Sequence, residues 1–144
     1  MNVGKREKGI DVIIPIYNAY EDLKLCIESI KKHVDFSIDR VLLIDDCSSD
    51  NRIKSYIGGI AQTSGFVVIF NDNNLGFSGS VNKGITYSDR DVILLNSDTI
   101  VTSNWIDKIY QCAYSAANIG AVTPLSNSAT ICSIPNFCQL SPSL

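Results

Sequence analysis

Four short aliphatic runs recur along this chain, each separated from the next by a stretch with helical spacing: Asp11 to Ile16, Arg40 to Ile44, Phe66 to Phe70 and Val92 to Leu95. A strand with one wet face alternates apolar and polar residues. These runs are nearly continuous in Val, Ile and Leu, which predicts strands buried on both faces, as in a parallel sheet. Between them Leu23, Cys26, Ile27, Ile30 and Val34 recur at three- and four-residue steps and predict a helix over roughly Glu21 to His33. A weaker helix is expected from about Arg52 to Ala61, ending near Gly65, and a third from a Ser78 cap to near Ser88. A fourth follows Ser103, with Trp105, Ile106, Ile109, Tyr110 and Ala113 on one face, and Gly120 to Pro124 reads as a fifth short strand. Strand–helix alternation predicts a doubly wound α/β fold, a mostly parallel sheet flanked by helices. With 144 residues one domain is expected: a polar lead over 1–10, the α/β domain over 11–124, and an irregular Ser-, Asn- and Pro-rich tail over 125–144 leading toward a further segment.

Composition narrows the function classes. Hydrophobic residues make up 45% and charged residues 19%, enough for a core without disulfides or metals. The net charge of -3 argues against nucleic acid as a partner, since phosphate backbones are held by clustered Lys and Arg. The cysteines are Cys26, Cys47, Cys112, Cys132 and Cys138, an odd number without a C-x-x-C pair, which argues against a disulfide framework and for a reducing compartment. Cys132 and Cys138 with His33 have the wrong spacing for a common zinc site, so buried free thiols are expected there. The polar start, Met1 to Lys8, does not read as a signal peptide, and no stretch approaches the roughly 20 apolar residues of a membrane span. A soluble cytoplasmic protein is expected, with peripheral attachment at the inner face of the membrane left open.

In doubly wound sheets ligands sit outside the carboxyl ends of the strands, so the residues after each run matter most. After the first come Pro15, Ile16, Tyr17 and Asn18. No G-x-G-x-x-G is present, which weakens a dehydrogenase or methyltransferase reading. Tyr17 could stack on a flat base, or be a half-buried strand-end aromatic. After the second come Asp45, Asp46 and Asp50, whose mutual repulsion is costly unless the charges are used. Asp45 could accept from a base N–H or a ribose hydroxyl, and Asp50 reads better as a helix cap. After the third, Gly76 and Gly79 would let helix-start amides face a phosphate, the bland alternative being a turn and a cap. Asn82 and Lys83 lie one turn on and reach either ligand or solvent. After the fourth come Asn96, Ser97 and Asp98. If the chain is extended there, Asn96 and Asp98 share one side and suit a hard divalent ion, Mg or Mn. The alternative is an Asx-turn.

Taken in order, four segments resemble the N-terminal, donor-nucleotide part of family 2 glycosyltransferases with the GT-A fold: Val12 to Asn18 (VIIPIYN), Leu43 to Asp50 (LIDDCSSD), Asn74 to Ile85 (NLGFSGSVNKGI) and Leu94 to Asp98 (LLNSD). The resemblance runs from about Asp11 to Pro124. It implies that Pro15, Tyr17, Asn18 and Asp45 line a nucleoside pocket, with Asp45 reading the base and Asp46 beside it. It implies that Gly76, Gly79 and Asn82 pack near ribose and diphosphate, and that Asn96, Ser97 and Asp98 form the D-x-D-type metal motif. Asn96 departs from the usual Asp, so Asp98 is the first expected metal ligand and Asn96 the second. Asn at this position is similar to rhamnosyltransferase-like members.

The implied activity is inverting transfer of a sugar from a nucleoside-diphosphate sugar to an acceptor hydroxyl, in polysaccharide biosynthesis, with a divalent cation. The family's E-D and Q-x-x-R-W segments are not found. The acceptor, a glycan or a lipid-linked sugar, and the catalytic base are therefore expected in a region beyond Leu144, and self-association through an open sheet edge is a further expectation. Competing readings are a non-catalytic sugar-nucleotide or protein-binding module, a nucleotidyltransferase, and a purely structural domain. The nucleotidyltransferase wants a Gly-rich basic loop after the first strand, where Tyr17, Asn18, Ala19 and Tyr20 stand instead.

Overall fold

The computed structural model describes Arg6 and residues 8–124. Their order is β1 (Asp11–Ile16), α1 (Tyr20–His33), β2 (Arg40–Asp45), α2 (Asn51–Ile60), β3 (Phe66–Phe70), α3 (Gly76–Tyr87), β4 (Val92–Leu94) and α4 (Trp105–Ala113). The chain divides into two compact units, Met1–Asn104 and Trp105–Leu144. The second contributes only α4 and its flanks to the described residues. In α4 the apolar positions fall on one stripe, and Tyr110 stacks on Tyr114 with ring centroids 4.4 Å apart.

The first unit is a parallel four-stranded sheet of order β3-β2-β1-β4. The predicted α/β architecture and four of the five predicted strands are present. β1 and β2 are buried almost throughout because helices cover both faces, which is why their sequences do not alternate. Ile13, Leu42 and Ile44 form one layer with Val67, Ile69 and Val92 packed on it. That layer meets α3 at Gly84, where an added Cβ would stand 2.7 Å from both Ile13 Cγ2 and Ile44 Cδ1. The helix can sit this close only because residue 84 has no side chain. Right-handed crossovers put α1 and α2 on the opposite face, where Leu23, Cys26, Ile27, Ile30, Ile53, Ile57 and Ile60 are buried.

Pro15 lies in the central strand, an unusual position for a residue without an N–H. The register explains it. In β1 the odd residues face β4, as the bonds Asp11 N to Asp91 O and Leu95 N to Ile13 O record. β4 ends opposite Ile13, so at Pro15 no ladder bond is lost.

Two expectations need correction. Gly120 to Pro124 forms no strand: these residues are mostly exposed and pair with no strand among the described residues, and a run with Gly, Ala and Pro has too little β-propensity to extend without a partner. Helix α3 begins at Gly76, two residues before Ser78, and Ser78 is not its cap. Cys26, Cys47 and Cys112 are free thiols, the first buried, the second partly exposed and the third exposed. Cys132 and Cys138 lie outside the described residues, as does the tail over 125–144. No helix among the described residues is long and apolar enough to cross a membrane.

Candidate functional site at the carboxyl edge of the sheet

After β3 the chain passes under β1 and returns on its far side as β4. The order therefore reverses between β1 and β4, the kind of switch point outside whose carboxyl strand ends ligands are expected. Pro15 to Asn18 lie at the end of β1 on that edge, and Asn96 to Asp98 follow β4. Asp45, paired in register with Ile16, is one strand away.

Asp45 is fully buried. Its Oδ1 accepts from the Ser48 amide at 3.2 Å, while Oδ2 is buried with no hydrogen-bond partner. A buried carboxylate oxygen left without a donor costs about 1–3 kcal/mol or more, so folds rarely leave one unused. Asp46, the next residue, faces the other side of the sheet and has a different task. Its Oδ1 accepts from the Leu75 amide at 2.7 Å and from Asn71 Nδ2 at 2.9 Å. Asn71 Nδ2 also donates to Ser80 Oγ, and Asn71 Oδ1 accepts from Lys83 Nζ at 2.8 Å. Burial alone would raise the Asp46 carboxyl, but the Leu75 amide, Asn71, Ser80 and the Gly76 amide together hold it below the usual carboxylate range. Asp46 thus supplies the anion that the start of α3 requires, in place of the expected serine cap.

Asn18 is a clasp. Its Oδ1 accepts from the Ser49 amide, Ser49 Oγ and the Asp50 amide, and its own amide donates to Ser48 Oγ at 2.9 Å. This fastens the β1–α1 turn to the loop after β2 and fixes Ser48, the donor to Asp45. Asn18 and Ala19 are both left-handed, at φ 58° and 55°. Tyr17 stands exposed beside them at 55%. Asp50 caps α2 as expected, accepting from the Arg52 amide at 3.0 Å, and the Arg52 side chain lowers its pKa further.

At α3 the amides nearest the start are already engaged, Leu75 with Asp46 and Gly76 with Asn74 Oδ1. An added Cβ at Gly79 would meet Leu75 Cβ at 2.6 Å, so this glycine serves the helix's own first turn. Asn82 is exposed, whereas Lys83 is tied to Asn71 and to the Phe70 carbonyl, away from the solvent role left open for it.

The segment Asn96 to Asp98 is not extended. The Thr99 amide donates to the Asn96 carbonyl at 3.1 Å and closes a turn with Ser97 and Asp98 at its tip. The same-side argument for Asn96 and Asp98 therefore fails, and the alternative reading of a turn is the one observed. Asn96 and Asp98 are exposed, and Asp98 has no ion pair among the described residues. No group of three or more His, Cys, Asp or Glu side chains able to hold a metal occurs among the described residues. One carboxylate with an amide and a hydroxyl fits only a hard cation that takes its remaining ligands from water and a phosphate-bearing partner.

The buried polar residues Ser48, Asn71 and Ser80 were not singled out from the sequence. Their only signal is position, directly after β2, after β3 and one turn into α3.

Comparison with known proteins agrees with this arrangement. Residues 11–126 match the family model described as glycosyl transferase family 2. Glycosyltransferase GlyG of Streptococcus pneumoniae serotype 4 is 33% identical over 103 residues, covering 71% of this chain and 34% of GlyG, so the chain spans about a third of that relative's length. Among solved structures, S. aureus TarS 1-349 in complex with UDP-GlcNAc superimposes with a TM-score of 0.66 at 18% identity, over 83% of this chain and 38% of that one. The mannosyltransferase PcManGT from Pyrobaculum calidifontis, in complex with GDP-Man and Mn²⁺, gives 0.64 at 13% identity, over 71% of this chain and 31% of that one. With the matched segment covering most of its length, this chain belongs to glycosyltransferase family 2.

Proposed function

We propose that the chain binds a nucleoside-diphosphate sugar at the carboxyl edge of its sheet and presents it for inverting transfer to an acceptor hydroxyl. The observation that carries this is the fully buried, unpartnered Oδ2 of Asp45 at the carboxyl end of β2, one strand from the β1–β4 switch point. A carboxylate oxygen in that position accepts from the N–H of a nucleobase, and Tyr17 offers an exposed ring on which a base stacks. Relatives in fold have been solved with UDP-GlcNAc and with GDP-Man and Mn²⁺, which supports this class of ligand and a divalent ion, Mg or Mn.

The diphosphate lies toward Asn96, Ser97 and Asp98 in this reading. Asp98 is the first ligand for the cation and Asn96 the second. Once bound, the ion offsets the charge that builds on the departing diphosphate. Gly76, Gly79 and Asn82 border the ribose. The clasp through Asn18 holds Ser48 against Asp45, so the base-reading oxygen is fixed before the ligand arrives. The acceptor is a glycan or lipid-linked hydroxyl, and its base belongs to residues other than those assigned here.

Titration calorimetry with UDP, GDP, CDP, ADP and dTDP, each with and without Mn²⁺, tests the reading. Binding of one diphosphate that strengthens with Mn²⁺ is expected, and the strengthening disappears in Asp98→Ala. Equal or no binding of all five, independent of metal, would sink it.

A further inference from the structure

The turn that carries Asp98 is held by α1, an element about 70 residues away in sequence. Two α1 side chains one helical turn apart reach it. Cys26 Sγ lies 3.8 Å from the Asn96 carbonyl, the same oxygen that closes the turn with the Thr99 amide. The Cys26 S–H thus donates to the oxygen at which the turn closes. Three residues on, Ser29 Oγ donates to the Cys26 carbonyl at 2.7 Å and accepts from the Val101 amide at 3.0 Å. Both ends of the segment from Asn96 to Val101 are thus fastened to α1, with Ser97 and Asp98 between the fastenings.

We infer that Cys26 and Ser29 are positioning residues for the cation ligands: by gripping Asn96 and Val101 they set the conformation in which Asp98 meets a metal–diphosphate. Neither side chain touches the ion or the nucleotide. The inference rests on the cation-assisted reading above and deepens it. Asp98 is exposed and lacks an ion pair among the described residues, so nothing on its own side chain fixes its direction. Its aim must come from the backbone, and the backbone is fixed from α1.

The test measures Mn²⁺ binding to the full chain by electron paramagnetic resonance, with saturating UDP or GDP, whichever binds. Ser29→Ala and Cys26→Ala are each expected to raise the Mn²⁺ dissociation constant about 5- to 10-fold, with nucleotide affinity in the absence of metal unchanged. Ser29→Thr, which keeps the hydroxyl, should restore near-normal Mn²⁺ affinity. Amide exchange at Val101 should quicken in Ser29→Ala, while the sheet amides of Ile13 and Leu43 stay protected. If Cys26→Ala does not fold, the Ser29 pair decides by itself. Wild-type Mn²⁺ affinity in the folded alanine variants overturns the inference, as does an equal loss of metal-free nucleotide binding or a Ser29→Thr variant as weak as Ser29→Ala. Those results leave the cation reading standing. Absence of Mn²⁺ uptake by the wild-type chain with either nucleotide overturns both.

Discussion

The two edges of the sheet treat their aspartates in opposite ways. At the amino edge Asp11 and Asp39 are fully buried, and each is matched by a guanidinium. Arg40 grips Asp11 through two bonds of 2.8 and 2.7 Å, with Ser88 Oγ adding a third. Arg6 grips Asp39 in the same forked fashion, and Asp39 also accepts from the Ile10 amide. At the carboxyl edge Asp46 and Asp50 are committed to helix starts, but Asp45 keeps an oxygen without a donor and Asp98 has no ion pair among the described residues. The left-handed positions differ as well. Gly65 serves the amino edge, whereas at the carboxyl edge Asn18, Ala19 and Cys47 hold that conformation with side chains attached, beside Gly76. One edge is arranged for stability, and the other keeps polar groups and backbone strain that a ligand can relieve.

The largest expected effect breaks the amino edge. Asp11→Ala removes the partner of a guanidinium that is 30% exposed, and should lower unfolding free energy by about 3 kcal/mol in chemical denaturation. Nucleotide affinity per folded molecule should stay the same. A loss of binding out of proportion to the loss of folded protein would mean that the two edges are not independent.

Asp45→Asn reverses the pattern. The amide keeps an acceptor for Ser48 and turns an N–H toward the position where the free oxygen stood. Nucleoside-diphosphate affinity should fall about 10- to 30-fold by calorimetry, with the melting temperature held or raised. A large drop in stability with binding intact would make Asp45 a structural residue like Asp11.

Acid should act through the paired groups. Burial alone would raise the Asp11 carboxyl, but Arg40, Ser88 and Arg90 hold it below its ordinary value, and Asp46 is likewise lowered. Folded-state values below the unfolded value of about 3.9 contribute stability above that pH, lost as pH falls through the folded values. Stability measured by urea titration should therefore be flat from about pH 7 to 5 and decline below about pH 4. Asp46→Asn should soften that decline.

The sequence made some of this legible and concealed the rest for physical reasons. Strands buried on both faces advertise themselves, so β1 to β4 could be read from Val, Ile and Leu runs alone. That Asp45 and Asp46 stand at a strand end was equally plain. Which of them was committed to α3 was not, because the donors, Asn71 and the Leu75 amide, come from elsewhere in the chain. The segment at Ser97 and Asp98 stays open between two readings for the same reason: an isolated Asn-Ser-Asp can be extended or turned, and contacts from Cys26 and Ser29 act on it from elsewhere in the chain. Ser78 had the right chemistry for a cap, yet a buried carboxylate from β2 reached the helix start first.

The smallest effect sharpens the contrast in backbone strain. Ala19 precedes α1 at φ 55° and ψ 53° without a side-chain cap, and its methyl group is exposed. A left-handed residue with a Cβ costs about 1 kcal/mol, and no buried contact offsets it. Ala19→Gly should therefore raise unfolding free energy by about 0.5–1 kcal/mol, the released strain exceeding the added freedom of the unfolded chain. Gly65→Ala at the amino edge should do the reverse, since its φ of 88° disfavours a side chain and the new Cβ would run into the Phe36 ring. The left-handed turn at Ala19 directly follows Tyr17 and Asn18 and helps set their placement at the carboxyl edge in the proposed site. Ala19→Gly should consequently bind nucleotide slightly more weakly even as it melts later, and a variant that is both more stable and tighter-binding would show that the left-handed turn contributes nothing to the site.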